Sequence, residues 1–200
     1  LVVTNFSREP NALYLNRGGG LFSDASAIFG LAAASLPPLG FGVVLCDFDL
    51  DSDLDLYVAN GHVLDNVAEL GFPSGFAQPD QLFENNDGLG FKEVSSQAGA
   101  WFGRAAVGRA VAVADFDGDG DNDVLSVQNA HGYGLTWFEQ VVDADGKRKF
   151  LGNSIITSRP ADSSYGLSIS QMHAVALVDI DGDGVRDIVT GKRFWAHAGG

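Results

Sequence analysis

The chain has 200 residues, 46% of them apolar, with a single cysteine and a net charge of −14. Such length and apolar content suit a folded domain or a short array of modules, not a disordered chain. The acidity argues against nucleic acid or an anionic membrane as partner, and one cysteine excludes an internal disulfide framework.

In chain order, Leu1-Val2-Val3-Thr4-Asn5 predicts a short strand and Leu13-Tyr14-Leu15-Asn16 a second, with a Gly-containing turn leading to a third around Phe22. Residues 27–46 are fairly apolar, but Pro37-Pro38 and several glycines argue against a membrane helix, so the segment reads as a loop feeding a strand. At its end Cys46 lies in the run Val43-Val44-Leu45, a place for a small buried hydrophobe more than for a reactive thiol. An acidic loop at residues 47–55 follows, then the strand-like run Leu56-Tyr57-Val58. Two further strands are expected at Leu82-Phe83-Glu84-Asn85 and around Phe91. The same series returns: a loop at residues 115–123, the run Val124-Leu125-Ser126-Val127, then Leu135-Thr136-Trp137-Phe138 and a strand around Phe150. A third loop at residues 179–187 runs into Ile188-Val189-Thr190.

This is an internal repeat. Residues 42–55, 110–123 and 174–187 superpose, and their first aspartates, Asp47, Asp115 and Asp179, are 68 and 64 residues apart. Two strands around each loop and two after it make four antiparallel strands in roughly 60 residues, the signature of a β-propeller blade. The expected fold is therefore all-β, about three blades of a partial propeller, with repeats at residues 1–40 (partial), 41–107, 108–171 and 172–200 (partial). Leu1–Asn5 matches Leu56-Tyr57-Val58-Ala59-Asn60, as though the chain opened just after a fourth acidic loop. Closed propellers have about 4–8 blades, so the expectation is a fragment, or a chain that closes with another. Open blade faces would then be sticky, and size-exclusion chromatography with light scattering is expected to show self-association. A robust monomer would refute that expectation.

Within the second loop Asp115, Asp117, Asp119 and Asp123 stand at positions 1, 3, 5 and 9, with Gly120 at position 6. Alternate residues of a tight loop can aim carboxylates at one centre, and the position-7 carbonyl of Asp121 is placed to add a backbone oxygen. An all-oxygen set of several carboxylates suits Ca²⁺, and nothing in the loop favours zinc or copper. Asp-Gly clusters also make plain turns, but close carboxylates repel strongly without a cation between them, and three in register between strands point to metal. An EF-hand would need a Glu at position 12 and flanking helices. That position holds Val58, Ser126 and Thr190, each in a β-run.

These segments resemble FG-GAP/VCBS repeats, the calcium-binding blades of integrin α-chain propellers and many bacterial surface proteins. Residues 11–60 are especially similar to the cartilage-acidic-protein-like branch, through Asn11-Ala-Leu-Tyr-Leu-Asn16, Gly40-Phe41-Gly42 and Asp53-Leu-Asp-Leu-Tyr-Val-Ala-Asn60. The resemblance implies a propeller, up to three bound Ca²⁺ ions and an extracellular or cell-envelope location, without naming a ligand. It implies as metal residues Asp47, Asp49, Asp51, Asp53 and Asp55; Asp115, Asp117, Asp119, Asp121 and Asp123; and Asp179, Asp181, Asp183, Val185 and Asp187, with position 7 acting through its carbonyl. The first loop departs from the pattern, with Leu50 and Ser52 where the others have Gly, and is expected to bind most weakly.

His62, His131 and His197 each follow a post-loop strand, as rim ligands or as polar turn residues carried with the repeat, while His173 has no counterpart. Trp101, Trp137 and Trp195 could stack on sugars, although Trp137 falls in a strand and fits a core position. No nucleophile elbow, zinc-protease or phosphate-loop motif is present. The expected function is a non-catalytic module that binds extracellular protein or polysaccharide. The alternatives are the propeller part of a secreted Ca²⁺-dependent polysaccharide lyase, for which only 12 Lys and Arg supply a base, and a structural spacer.

Overall fold

The computed structural model describes residues 1–72 and 74–192, so Trp195 and His197 lie outside the described residues. Its strands form four separate antiparallel sheets, in each of which neighbours in space follow chain order. The first holds β1 (Val2–Val3), β2 (Ala12–Asn16) and β3 (Phe22–Asp24). The second holds β4 (Gly40–Cys46), β5 (Asp55–Asn60), β6 (Gln81–Asn85) and β7 (Phe91–Glu93). The third holds β8 (Val111–Ala114), β9 (Asp123–Val127), β10 (Leu135–Val142) and β11 (Arg148–Ile156), and the fourth β12 (Met172–Val178) and β13 (Asp187–Lys192).

Residues 27–46 carry more structure than a loop. A single helical turn, α1 (Leu31–Ser35), uses the helix-favouring run Ala32-Ala33-Ala34 before β4 begins. The Ser35 hydroxyl donates to the Leu31 carbonyl at 2.8 Å and accepts from the Asn11 amide at 2.9 Å, which ties the turn to the start of β2. No helix among the described residues is long and apolar enough to cross a membrane.

The core lies between successive sheets, because the inner strands are buried on both faces. All six residues of β5 and all five of β9 are buried, and side-chain alternation divides them. Leu56 and Val58 of β5 pack with Leu13, Leu31 and Phe83 toward the first sheet. Tyr57 and Ala59 turn the other way, onto Val124, Phe138 and Phe150 of the third. Leu125 and Val127 of β9 then meet Met172, Val175 and Ile188 of the fourth. Cys46 is half-buried against the second of these clusters. Burial, helped by the charges of Asp47 and Asp55, pushes its thiol up to about 11, as expected of an unreactive thiol.

Registers repeat from sheet to sheet. Val2 pairs with Leu13 and Val3 with Ala12, as Tyr57 pairs with Leu82 and Val58 with Gln81, so β1 is the counterpart of β5. In the third sheet Leu125 faces Trp137, not Leu135, so the strand corresponding to Leu82–Asn85 is Trp137–Gln140. This corrects the expected alignment by two residues: β10 starts earlier than its counterparts, and similarity of Leu with Leu hid the offset. Contacts between sheets recur too, with Gly40 N–H donating to the Asn5 carbonyl at 3.1 Å and Gly108 N–H to the Asn60 carbonyl at 2.8 Å. The leading strands are neighbours, β4 beside β8 and β8 beside β12. At Gly42 a Cβ would come within 2.9 Å of the Arg109 carbonyl oxygen, so only glycine permits that approach.

Candidate metal centres

All three acidic loops join the first strand of a sheet to its second, so they share one end of the molecule. Their internal bonding is common. The position-1 carboxylate accepts from the position-6 amide, Ser52 to Asp47 at 3.0 Å, Gly120 to Asp115 at 3.1 Å and Gly184 to Asp179 at 3.0 Å. The position-5 carboxylate accepts from position 7, in pairs Asp53 to Asp51, Asp121 to Asp119 and Val185 to Asp183. The position-9 carboxylate accepts from position 2, Phe48 to Asp55, Phe116 to Asp123 and Ile180 to Asp187. Each loop is thus wound around its own carboxylates.

Left-handed backbone makes this winding possible. Positions 4 and 6 have φ of 81° and 94° at Gly118 and Gly120, and of 80° and 90° at Gly182 and Gly184. Leu50 and Ser52 take the same conformation, with φ of 61° and 80°. A non-glycine residue pays about 1–2 kcal/mol for that geometry.

One carboxylate oxygen from each of Asp47, Asp49 and Asp55 lies within 4.8 Å of the other two, and the same holds for Asp179, Asp181 and Asp187. In the second loop the converging set is Asp115, Asp117 and Asp119. Oxygens held roughly 2.3–2.6 Å from a common Ca²⁺ are separated by at most about 5 Å, so all three triads fit one hard cation. Asp51, Asp53, Asp121, Asp123, Asp183 and Val185 stand outside the triads.

Burial separates the position-9 residues of the first two loops from the rest, whereas Asp187 of the third is exposed. Asp55 and Asp123 are 3% and 1% exposed, and each spends its second oxygen on the following strand, accepting from the Asn85 amide at 2.8 Å and the Gln140 amide at 2.7 Å. That splicing of loop to sheet was not foreseen, although the recurrence of Asp at position 9 directly before a strand was its signal. Burial, then the nearby charges of Asp49 and Asp53, pushes Asp55 up to about 6 against the lowering effect of its amide donors. Asp121 is pushed up to about 6 by burial and by Asp119, Asp123 and Asp117. Asp49 and Asp123 are raised as well, burial again leading. The loops therefore hold negative charge at a cost that a cation would remove.

The loops also touch one another. Asn122, at position 8 of the second loop, donates to the Asp47 carbonyl of the first at 2.8 Å. Arg186, at position 8 of the third, lines a cavity with Asp115 and Asp117 of the second.

Among the described residues the histidines do not form a repeated rim. His62 is fully buried between Phe6 and Phe72, with ring centroids 5.1 Å away in both cases, and its Nδ1 accepts from the Leu64 amide at 3.0 Å. Burial lowers its pKa. His131 is exposed and lies 6.0 Å from His173. Trp137 is half-buried against the third core cluster, as its strand position implied, and Trp101 is half-buried against the second.

No protein-family model matches the chain, and no curated protein is significantly similar to it. The likeness to FG-GAP/VCBS repeats rests on the loop residues and their flanking strands.

Proposed function

We propose that this chain is a run of calcium-binding β-propeller blades of the FG-GAP/VCBS kind, acting outside the cell or in its envelope as a non-catalytic module that binds protein or polysaccharide. The observation that carries the reading is the common geometry of the three loops, each between antiparallel strands and each converging three carboxylates. The stacking of four-stranded sheets through their faces, with leading strands adjacent, supports the propeller. All-oxygen ligation by carboxylates favours Ca²⁺, which would be held by Asp47, Asp49 and Asp55, by Asp115, Asp117 and Asp119, and by Asp179, Asp181 and Asp187. Bound Ca²⁺ would neutralise the loops; the chain's own part is to pre-shape them through the amide bonds described above.

Isothermal titration calorimetry with Ca²⁺ tests this, with up to three sites expected and none filled by Zn²⁺ in preference; absence of Ca²⁺ binding would overturn the reading. The same titration ranks the sites. Ser52→Gly is expected to stabilise the chain by up to about 1 kcal/mol by relieving the left-handed strain, and to tighten the first site several-fold. Gly120→Ser is expected to weaken the second. Three equal sites indifferent to both changes would show that position 6 does not set affinity.

A further inference from the structure

At the end of the sheets opposite the acidic loops lies a groove of about 680 Å³, within the size range of ligand sites. One wall comes from Phe76 in the β5–β6 connection and from Trp101 and Arg104 between the second and third sheets, and the other from the β9–β10 loop and the end of β11, including Asn129, Tyr133 and Ser154. We infer that this groove binds a neutral oligosaccharide, an assignment that builds on the binding-module reading above and gives it a site and a ligand class.

Three observations carry the inference. The first is the aromatic surface. Tyr133 is 42% exposed on the groove and Phe76 is half-buried there, so an open phenol ring and a second ring are presented to the C–H face of a sugar. Trp101 serves differently: Arg104 lies over its ring at 4.9 Å, which holds the guanidinium at the groove as a fixed multiple donor. Among the described residues Arg104 makes no ion pair, so its N–H groups are open to ligand oxygens.

Polar chemistry is the second. Beside the rings stand the amide of Asn129 and the hydroxyls of Ser154 and Ser158, groups that both donate and accept, as sugar hydroxyls require. The third is charge. The chain carries −14 overall, yet among the described residues no Asp or Glu lines this groove. A cationic ligand would find no carboxylate there, and a polyanion would be repelled by the rest of the molecule. An uncharged, polyhydroxylated ligand with apolar ring faces satisfies all three conditions.

The test uses the Ca²⁺-loaded chain against neutral gluco-, manno-, xylo- and galacto-oligosaccharides, with uronic-acid oligosaccharides and a lysine-rich peptide as comparators, read by calorimetry and by an immobilised-glycan array. Binding to at least one neutral series is expected, and Tyr133→Ala is expected to weaken it about tenfold through loss of the stacking platform. Ser158→Trp, an exposed position whose enlarged side chain fills the groove, should abolish binding while leaving the melting temperature and the Ca²⁺ titration unchanged. Preference for the uronic acids or the peptide, no sugar binding by a chain that still binds Ca²⁺, or binding indifferent to both substitutions would each overturn the assignment while leaving the metal reading intact. Failure of Ca²⁺ binding itself would instead strike the reading on which this one rests.

Discussion

Withdrawing divalent metal with EDTA is expected to lower the melting temperature by about 5–10 °C for each site emptied. A ligand at about 100 times its Kd adds roughly 2.7 kcal/mol of stability, and 1 kcal/mol moves the midpoint of a chain this size by about 2–4 °C. The physical basis is charge. Each loop gathers three carboxylate oxygens within 4.8 Å of one another, and Asp55 and Asp121 are pushed up to about 6 by burial and by their neighbours. A carboxyl whose pKa is raised by folding binds more protons folded than unfolded between about pH 4 and 6, so stability falls as pH rises through that window. In EDTA the midpoint should therefore climb as pH is lowered from 7 toward 5. Saturating Ca²⁺ should suppress that climb, because the ion requires the deprotonated carboxylates. Differential scanning calorimetry over this pH range reads both effects. Coincident midpoints with EDTA and with millimolar Ca²⁺ would remove the metal assignment.

Asp123→Ala is expected to destabilise even the metal-free chain, by about 2–5 kcal/mol. Asp123 is 1% exposed and accepts the amides of Phe116, at 3.1 Å, and Gln140, at 2.7 Å. Its loss strands two N–H groups at a cost of about 1–3 kcal/mol each, and relief of repulsion with Asp117 offsets only part of this. Asp51→Ala is the contrast. Asp51 accepts one amide, that of Asp53, in an exposed part of its loop, so its loss should cost less than about 1 kcal/mol without metal. Urea denaturation in EDTA separates them. Equal losses would mean that position 9 serves the loop no differently from position 5.

Much of the site was legible because its logic is local. The Asp and Gly pattern of residues 115–123 is a set of bonds between residues at most seven apart, and the left-handed backbone at positions 4 and 6 follows from Gly there. The strands were legible for the same reason, as β-branched and aromatic runs bounded by turns. The two-residue error in β10 arose where a local cue, Leu135, competed with a pairing across the sheet that only Trp137 and Leu125 reveal.

Asp80 is an isolated acid just before β6 and carries no motif. It is nonetheless buried, accepting from the Tyr57 hydroxyl at 2.6 Å, the Asn60 amide at 2.9 Å and the Gln128 amide group at 2.9 Å. Burial raises its pKa while these three bonds pull it down. Arg109 likewise lies buried 3.9 Å over the Phe41 ring, donating to the carbonyls of Gly108 at 2.7 Å and His62 at 3.0 Å. The donors gathered by Asp80 lie 20, 23 and 48 residues away along the chain, beyond the reach of any local pattern.

The sequence by itself determined the all-β character and the place and internal form of three acidic loops, since backbone conformation and close-range hydrogen bonding depend on residues a few positions apart. Tertiary structure alone decided that position 9 completes the triad in the first and third loops and position 5 in the second, that His62 is buried, and that Asn122 joins one loop to another. Those outcomes depend on desolvation and on which sheet packs against which, and both are set by segments tens of residues apart.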